Sequence, residues 1–239
     1  MATNMNHAEF TDRVTRILNQ GNLPVDTNGA ILYTTFDTVR DGCFYIIGLN
    51  PGGNPNQPDD KYPLYNEMTI AKSLQECIDS NYNEYNKVWI EGRPLMPLQR
   101  NINYLAEKFL QKESIEICCT NLIFKVTKDA NGLSHTFDEL ANLCWEVHKI
   151  LLDIIQPRII IAFGNQDKLS PFHFLRQKAG FPPPGEKPAN HGKYRIKYFT
   201  GNIEGRETHV LGLPHLSRYC IYNGNKDVII NEIFAEIAA

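Results

Sequence analysis

The chain has 239 residues, a formal net charge of -3 at pH 7 and a hydrophobic fraction of 42%. This composition is ordinary for a folded protein, and the length predicts a single domain spanning residues 1–239. No apolar stretch approaches the roughly 18 to 20 residues of a membrane-spanning helix, and the weak negative charge disfavours tight non-specific binding to nucleic acid, although local basic patches can still bind it.

The first half of the sequence alternates helical periodicity with short apolar runs. The first helix has apolar residues at helical spacing and stops before Gly21, and the first strand runs into a loop rich in Gly, Asn and Pro. The pattern predicts helices over 8–20, 66–79 and 96–112, and strands over 44–49 and 115–124.

The second half repeats this alternation. A long amphipathic helix is closed by Pro157, and the segment "FPPPGEKPANHG" (181–192) has the composition of a loop. The pattern predicts helices over 136–155, 166–177 and 225–237, and strands over 158–164, 193–199 and 208–215.

Short, fully apolar strands between helices are typical of α/β proteins, because a parallel sheet is covered on both faces. We therefore predict an α/β fold, a three-layer α/β/α sandwich with a mostly parallel central sheet. The strands near 44–49, 115–120, 158–163 and 207–213 are expected to lie in that one sheet.

The cysteines and the N-terminus predict an intracellular protein without a metal. No Cys-x-x-Cys pair occurs, so reduced, buried thiols are expected rather than a metal or iron-sulfur site, and no cofactor is expected. The N-terminus has neither a basic flank nor a hydrophobic segment of signal-peptide length, which predicts a cytoplasmic location, or a nuclear one in a eukaryote. The six cysteines are Cys43, Cys77, Cys118, Cys119, Cys144 and Cys220.

Polar side chains follow four of the predicted strands at the point where each strand ends. These residues are Asn50, Asn121, Asn165 and His215. Each has an ordinary structural explanation alone, since Asn before Pro-Gly forms turns well and a single His is often a satisfied structural residue. Because active sites of open α/β sheets lie outside the carboxyl ends of the strands, we predict that Asn50, Asn121 and His215 converge on one open pocket.

Four segments resemble motifs of the uracil-DNA glycosylase superfamily, and they occur in the order found in that family. The segment "GLNPGG" (48–53) is similar to the Gly-x-Asn-Pro-Gly motif of the mismatch-specific, thymine-DNA and single-strand-selective branches, and "CTNLIF" (119–124) is similar to the strand that presents a base-reading asparagine. The segment "IIIAFGNQ" (159–166) resembles the core strand and the helix start that follows it, and "LPHLSRY" (213–219) resembles a shortened second motif.

The resemblance implies hydrolysis of an N-glycosidic bond to a flipped base. Asn50 would orient the attacking water through its side-chain carbonyl, and His215 would donate a hydrogen bond to the departing pyrimidine. Asn121 would bind the Watson-Crick edge of the base, because an amide offers both donors and an acceptor. Three residues of the first motif would shape the loop around the nucleotide: Gly48, Pro51 and Gly52.

The resemblance also implies a stacking aromatic and a DNA-contacting loop. Tyr62, with Tyr65 as the alternative, lies near the position where the family places its stacking aromatic, although either tyrosine can equally pack under the loop. The residues after His215 would fill the space left by the base or contact phosphate. They are Leu216, Ser217, Arg218 and Tyr219.

The sequence departs from the family pattern in three ways. His-Leu-Ser replaces His-Pro-Ser in the second motif, the serine-rich tail of that motif is absent, and the four-cysteine cluster of the iron-sulfur branches is missing. The expected protein is a monomeric, monofunctional DNA glycosylase that acts on uracil or a modified pyrimidine, with DNA as its partner and no membrane association. Two alternatives stay open: a hydrolase of small nucleosides or nucleotides, and a non-catalytic binding protein that retains the scaffold.

Overall fold

The structure is a computed structural model, and it describes most of the chain. The predicted strands are present, with ends that differ by a few residues; the strand predicted over 193–199 runs from Arg195 to Ile203. The described residues are 5–42, 44–52, 68–79, 95–111, 117–127, 130–189, 192–221 and 226–238. The strands are β1 (Phe44–Gly48), β2 (Cys118–Asn121), β3 (Ile159–Phe163), β4 (Gly185–Pro188), β5 (Arg195–Ile203) and β6 (Arg206–Leu213).

The six strands form one sheet in the order β2-β1-β3-β6-β5-β4. Strands β1, β3 and β6 are parallel neighbours, and Ile47, Ala162 and Gly212 share one row of their register. Strand β5 runs antiparallel to both β6 and β4. The α/β class and the presence of the four predicted strands in one sheet are therefore confirmed, while the three-layer arrangement and the specific glycosylase fold stay predictions.

Strand β4 was not predicted, because the sequence pattern placed residues 181–192 in a loop. The strand pairs with β5 along Gly185–Pro188, and its residues alternate between partly buried and exposed positions. Proline is compatible with an edge strand, where its missing N–H faces away from the ladder. Because the segment is short and polar, it contains no apolar run that would indicate a strand.

Six α-helices are described, and two of them begin at residues whose side chains cap the first turn. The side chain of Asn6 accepts the Glu9 N–H at the start of the first helix, and Ser170 accepts the His173 N–H ahead of Pro171 at the start of the fifth. Their bounds are α1 (His7–Gln20), α2 (Ile70–Asp79), α3 (Pro97–Phe109), α4 (Phe137–Ile155), α5 (Pro171–Lys178) and α6 (Lys226–Ala238).

The chain divides into two compact units, each built from separate stretches of sequence. One unit comprises Met1–Gly42, Gly48–Tyr82 and Cys118–Gln156, and the other comprises Cys43–Ile47, Asn83–Ile117 and Pro157–Ala239. We call them the first unit and the second unit. The prediction of a single domain stays a prediction.

Each unit has its own buried apolar side chains. In the first unit, α1 packs on α4, with Phe10 and Leu18 of α1 and Trp145 of α4 all inaccessible to solvent. In the second unit, α5 packs over β3, β5 and β6. The packing there is close: a Cβ at Gly212 would come within 2.3 Å of the Phe172 ring.

None of the described cysteines is in a disulfide, which agrees with the prediction of reduced thiols. Cys77, Cys118, Cys119 and Cys144 are buried, and Cys220 is partly exposed; Cys43 lies outside the described residues. Burial raises the pKa of both Cys118 and Cys144 to about 12, so these thiols stay protonated at neutral pH. Within the described ranges, no helix is both long enough and apolar enough to cross a bilayer.

Candidate functional site

The segment that follows β1 is held by main-chain hydrogen bonds to the segment that follows β2. Leu122 N–H donates to the Gly48 carbonyl over 2.8 Å, and Thr127 N–H donates to the Pro51 carbonyl over 3.4 Å. Gly52 and Thr127 complete the contact as an isolated parallel bridge. All of these residues belong to the first unit, so the predicted substrate-binding residues Gly48, Pro51 and Gly52 stand on one fixed segment.

Asn50 lies on this segment, and its side-chain NH2 group is fully used. Nδ2 donates to Thr127 Oγ1 over 2.8 Å and to the Pro51 carbonyl over 2.9 Å, and the Lys125 carbonyl lies 3.4 Å away. Carbonyl oxygens only accept, so the nitrogen of the amide must be the atom that faces them. The carbonyl acceptors around Nδ2 therefore fix the orientation of the Asn50 amide.

The oxygen of the same side chain is available. Among the described residues, none donates a hydrogen bond to Asn50 Oδ1, and the side chain is half-buried. An oriented amide oxygen with free lone pairs can accept a hydrogen bond from a water molecule and hold it in place. Thr127 therefore belongs to the site as the residue that orients Asn50.

Asn121 ends β2 but is buried. Its side chain is 1% exposed, and Nδ2 donates to the Tyr33 hydroxyl over 2.5 Å. Beside it, the Thr120 hydroxyl donates to the Ile31 carbonyl over 2.5 Å. Tyr33 is half-buried, so it is this tyrosine that connects the asparagine toward solvent in the first unit.

His148 of α4 supports the same segment from within the core. Its ring is inaccessible to solvent, and Nε2 lies 3.2 Å from the Leu122 carbonyl, to which it donates as Nε2–H. Burial lowers the pKa of His148 to about 4, so the ring is neutral at pH 7. The histidine is a structural residue of the first unit rather than a group open to substrate.

His215 follows β6 in the second unit and is exposed. Its Nδ1 lies 2.8 Å from the Ser217 hydroxyl and 3.3 Å from the Ser217 main-chain N–H. A main-chain N–H can only donate, so Nδ1 is an acceptor and the proton of the neutral ring lies on Nε2. The imidazole therefore offers an Nε2–H donor.

The surroundings of His215 favour its neutral form. Two causes lower the pKa of His215 below its ordinary value. The larger is desolvation of the ring by the protein around it, and the smaller is the positive charge of Arg218. The ring of Phe163, at the end of β3, meets the imidazole edge-on at a centroid distance of 5.6 Å. A neutral imidazole with one fixed donor can hydrogen-bond to a developing anion without carrying a charge of its own beforehand.

The His215 loop, defined here as residues 214–221, divides into exposed and buried side chains. Ser217 and Arg218 are exposed, as a DNA-contacting role requires. Leu216 and Tyr219 are buried, at 0% and 1% exposure, and the Tyr219 hydroxyl donates to the Ala189 carbonyl over 3.0 Å. In this structure these two side chains pack inside the second unit and do not reach a surface, so we do not assign them DNA contacts.

Asn165, which ends β3, is used structurally. Its Nδ2 donates to the Arg195 carbonyl over 2.6 Å and to the Gly212 carbonyl over 2.8 Å, and the side chain is 7% exposed. The amide satisfies carbonyls of β5 and β6 where β3 ends. Of the asparagines at strand ends, Asn165 is therefore explained by its structural hydrogen bonds.

The remaining predictions about the site are not tested by these contacts. Tyr62 and Tyr65 lie outside the described residues. Asn50 and Asn121 belong to the first unit and His215 to the second, so their convergence on one pocket stays a prediction. In the described part of the chain, no cluster of three or more His, Cys, Asp or Glu residues could hold a metal ion.

Comparison with known proteins does not assign the chain to a family. No protein-family model matches the sequence, and no curated protein matches it either. The resemblance to uracil-DNA glycosylases therefore depends on the four ordered motifs and on the chemistry of the side chains that they present.

Proposed function

We propose that the protein is a DNA glycosylase, which hydrolyses the N-glycosidic bond of a flipped uracil or modified pyrimidine and leaves an abasic site. The observation that carries this proposal is the state of Asn50. Its NH2 group is saturated by Thr127 and Pro51, while Oδ1 has no partner among the described residues. A side chain in that state is suited to hold a water molecule for attack.

The reaction needs a nucleophile on one side of the sugar and stabilisation of an anion on the other. Water adds its hydroxyl group to C1′, the C1′–N bond breaks with its electron pair passing to the base, and the remaining proton of the water reaches the base through solvent. The sugar passes through a state with oxocarbenium character. In this proposal Asn50 Oδ1 accepts a hydrogen bond from the water and so directs a lone pair toward C1′.

His215 acts on the departing base. Its Nε2–H donates to a pyrimidine oxygen as negative charge accumulates there, and the Ser217 N–H keeps that proton on Nε2 by occupying Nδ1. A neutral donor gains most of its interaction only when the charge has formed, so it favours the transition state over the bound substrate.

The ordered resemblance supports DNA as the partner and the glycosylase type of fold as the framework. The exposed positions Ser217 and Arg218 are available for phosphate contacts next to His215. Asn121 would offer the base its Oδ1 as an acceptor for an N–H group, because one of the two N–H groups of its Nδ2 is donated to Tyr33.

The test is a base-release assay on purified protein with oligonucleotides that contain uracil, thymine mismatches or modified cytosines, followed by alkali cleavage at abasic sites. Asn50→Ala and His215→Ala should each lower the single-turnover rate by about 100-fold or more, with little change in oligonucleotide affinity. Asn202→Ala serves as control, because Asn202 is an exposed residue near the end of β5 whose side chain accepts the Gly205 N–H. A wild-type rate in the Asn50→Ala, His215→Ala double variant would refute the mechanism.

Free nucleosides and nucleotides belong in the same assay. Release of base from deoxyuridine but not from oligonucleotides would replace the proposal by a small-molecule hydrolase. Binding of every oligonucleotide without release of any base would replace it by a non-catalytic binding protein.

A further inference from the structure

Asn101 of α3 makes the most complete set of side-chain hydrogen bonds to the His215 loop in the described part of the second unit. Its side chain is 1% exposed. Nδ2 donates to the Leu216 carbonyl over 2.6 Å and to the Pro97 carbonyl of its own helix over 2.9 Å. Oδ1 accepts the main-chain N–H of Ile221 over 2.9 Å.

These bonds hold the loop to one helix at Leu216 and at Ile221. Leu216 directly follows His215, and Ile221 is the last residue of the loop, so one amide spans the whole turn. Both N–H groups and the oxygen of Asn101 take part in these bonds, so the side chain has no further N–H group with which to bind a different partner. Sequence distances of 115 and 120 residues separate Asn101 from its two contacts in the loop.

Inside the loop, a tight turn transmits this anchoring to His215. The His215 carbonyl accepts the N–H groups of Arg218 and Tyr219 over 2.9 and 3.0 Å. The turn brings the Ser217 N–H against Nδ1, which is the contact that keeps the imidazole proton on Nε2. The position of the Ser217 N–H follows from the main-chain path between Leu216 and Ile221.

We propose that Asn101 is a positioning residue for His215: by fixing the main chain at Leu216 and Ile221, it sets the contact of Ser217 with the imidazole and thus the direction of the Nε2–H donor. This rests on the proposed function, in which His215 stabilises the departing base. Asn101 itself is buried and acts through the loop, so substrate need not touch it.

The experiment compares wild type with Asn101→Ala and Asn101→Asp. Asp keeps an acceptor for the Ile221 N–H but cannot donate to both carbonyls, so both variants loosen the Leu216 end of the loop. We expect the single-turnover rate to fall by about 10- to 100-fold, as when a reacting group is displaced by about 1 Å, while KM changes less than about threefold. Ser170→Ala is the matched control, because it also removes a buried polar side chain with main-chain bonds in the second unit, to Gln166 and His173.

A second readout does not depend on activity. The pKa of His215, measured by NMR titration, should move toward its ordinary value in both Asn101 variants as the Ser217 N–H leaves Nδ1, and should stay unchanged in Ser170→Ala. Arg218 is the charged group acting on this ring, and Arg218→Ala measures its separate share. In wild type, the Ile221 amide should be protected from hydrogen exchange by Asn101 Oδ1.

The outcomes separate the two proposals. Wild-type protein that releases no base refutes the glycosylase, whereas the His215 pKa and the Ile221 exchange still decide the role of Asn101. An Asn101→Ala protein with wild-type rate and wild-type His215 pKa would overturn the positioning role. If Asn101→Ala does not fold, Asn101→Asp and the exchange rate of Ile221 in wild type decide it: an unprotected Ile221 amide would overturn it equally.

Discussion

The amide of Asn50 donates to the Thr127 hydroxyl over 2.8 Å, although 77 positions separate the two residues in the chain. The bond joins the turn after β1 to the turn after β2 within the first unit. Because Thr127 takes one amide hydrogen and the Pro51 carbonyl takes the other, Oδ1 of Asn50 points away from both. Thr127 thus decides which atom of Asn50 a substrate or a water meets.

Replacement of Thr127 by Val should lower activity without preventing folding. Val keeps the branched shape but removes the acceptor for Asn50 Nδ2, so the amide can rotate and present its NH2 group to the water. We expect a fall of about 10-fold or more in the single-turnover rate of base release, at nearly unchanged oligonucleotide affinity. Thr127→Ser keeps the hydroxyl and should retain most of the rate. Equal rates in the Val and Ser variants would show that the hydroxyl does not orient Asn50.

His148 should make the protein sensitive to acid. Its pKa is lowered to about 4 by burial, whereas the unfolded chain binds a proton near the ordinary value of 6.5. Between these pH values the unfolded state binds more protons than the folded state, so the free energy of unfolding falls as pH drops from 6.5 to 4. The loss from this one group is about 3 kcal/mol. Below pH 4 both states bind the proton, and the contribution does not change further.

Denaturant unfolding at a series of pH values checks this sign. His148→Gln retains a side-chain N–H for the Leu122 carbonyl but does not titrate, so its unfolding free energy should fall less steeply between pH 6.5 and 4 than that of wild type. Parallel curves for the two proteins would mean that His148 binds its proton equally well in the folded state.

Arg218 should contribute more to DNA binding than to the chemical step. It is exposed on the loop that carries His215, and no ion pair to it occurs among the described residues. Arg218→Ala should weaken oligonucleotide binding and reduce the slope of log K against log salt by about 1, which is the change expected from one lost phosphate contact. Arg195→Ala is the control, because Arg195 is an exposed arginine whose Nε is already paired with Glu186 at 3.0 Å. An unchanged salt slope in Arg218→Ala would exclude a phosphate contact.

Local sequence patterns predicted the elements that bury apolar side chains. Strands β1 and β3 are nearly continuous apolar runs, β6 ends in the apolar run 210–213, and α4 has helical apolar spacing ended before Pro157, so each was predicted within a few residues. Strand β4 was missed because its segment is short and polar and lies at the edge of the sheet, where pairing with β5 and not burial defines the strand.

The site was predicted only in part, for a different physical reason. Motif positions identified Asn50 and His215, but the partners that orient them come from elsewhere in the chain: Thr127 for Asn50, and Asn101 for the loop of His215. Single hydrogen bonds between distant segments leave no periodicity in the sequence. The burial of Leu216 and Tyr219 was unpredictable for the same reason, because it depends on tertiary packing and on the bond from Tyr219 to Ala189.

Gly52 offers a test that separates folding from substrate contact. Of the described residues, none has a heavy atom within 4 Å of the place where a Cβ at Gly52 would lie, and its φ is not in the positive range that disfavours other residues. The fold itself therefore does not require glycine there, so Gly52→Ala should change the free energy of unfolding by no more than about 0.5 kcal/mol. A substrate that approaches this main chain closely does require it, and we expect Gly52→Ala to raise the Kd for uracil-containing oligonucleotide by about 10-fold or more, since each factor of 10 corresponds to only about 1.4 kcal/mol.

Gly212→Ala is the opposite case: its Cβ would lie 2.3 Å from the Phe172 ring, so it should destabilise the protein by about 1 to 3 kcal/mol. Thermal unfolding and oligonucleotide titration of both variants give the two comparisons. A Gly52→Ala protein with unchanged affinity would place the nucleotide away from the turn after β1 and would remove Pro51 and Gly52 from the proposed site.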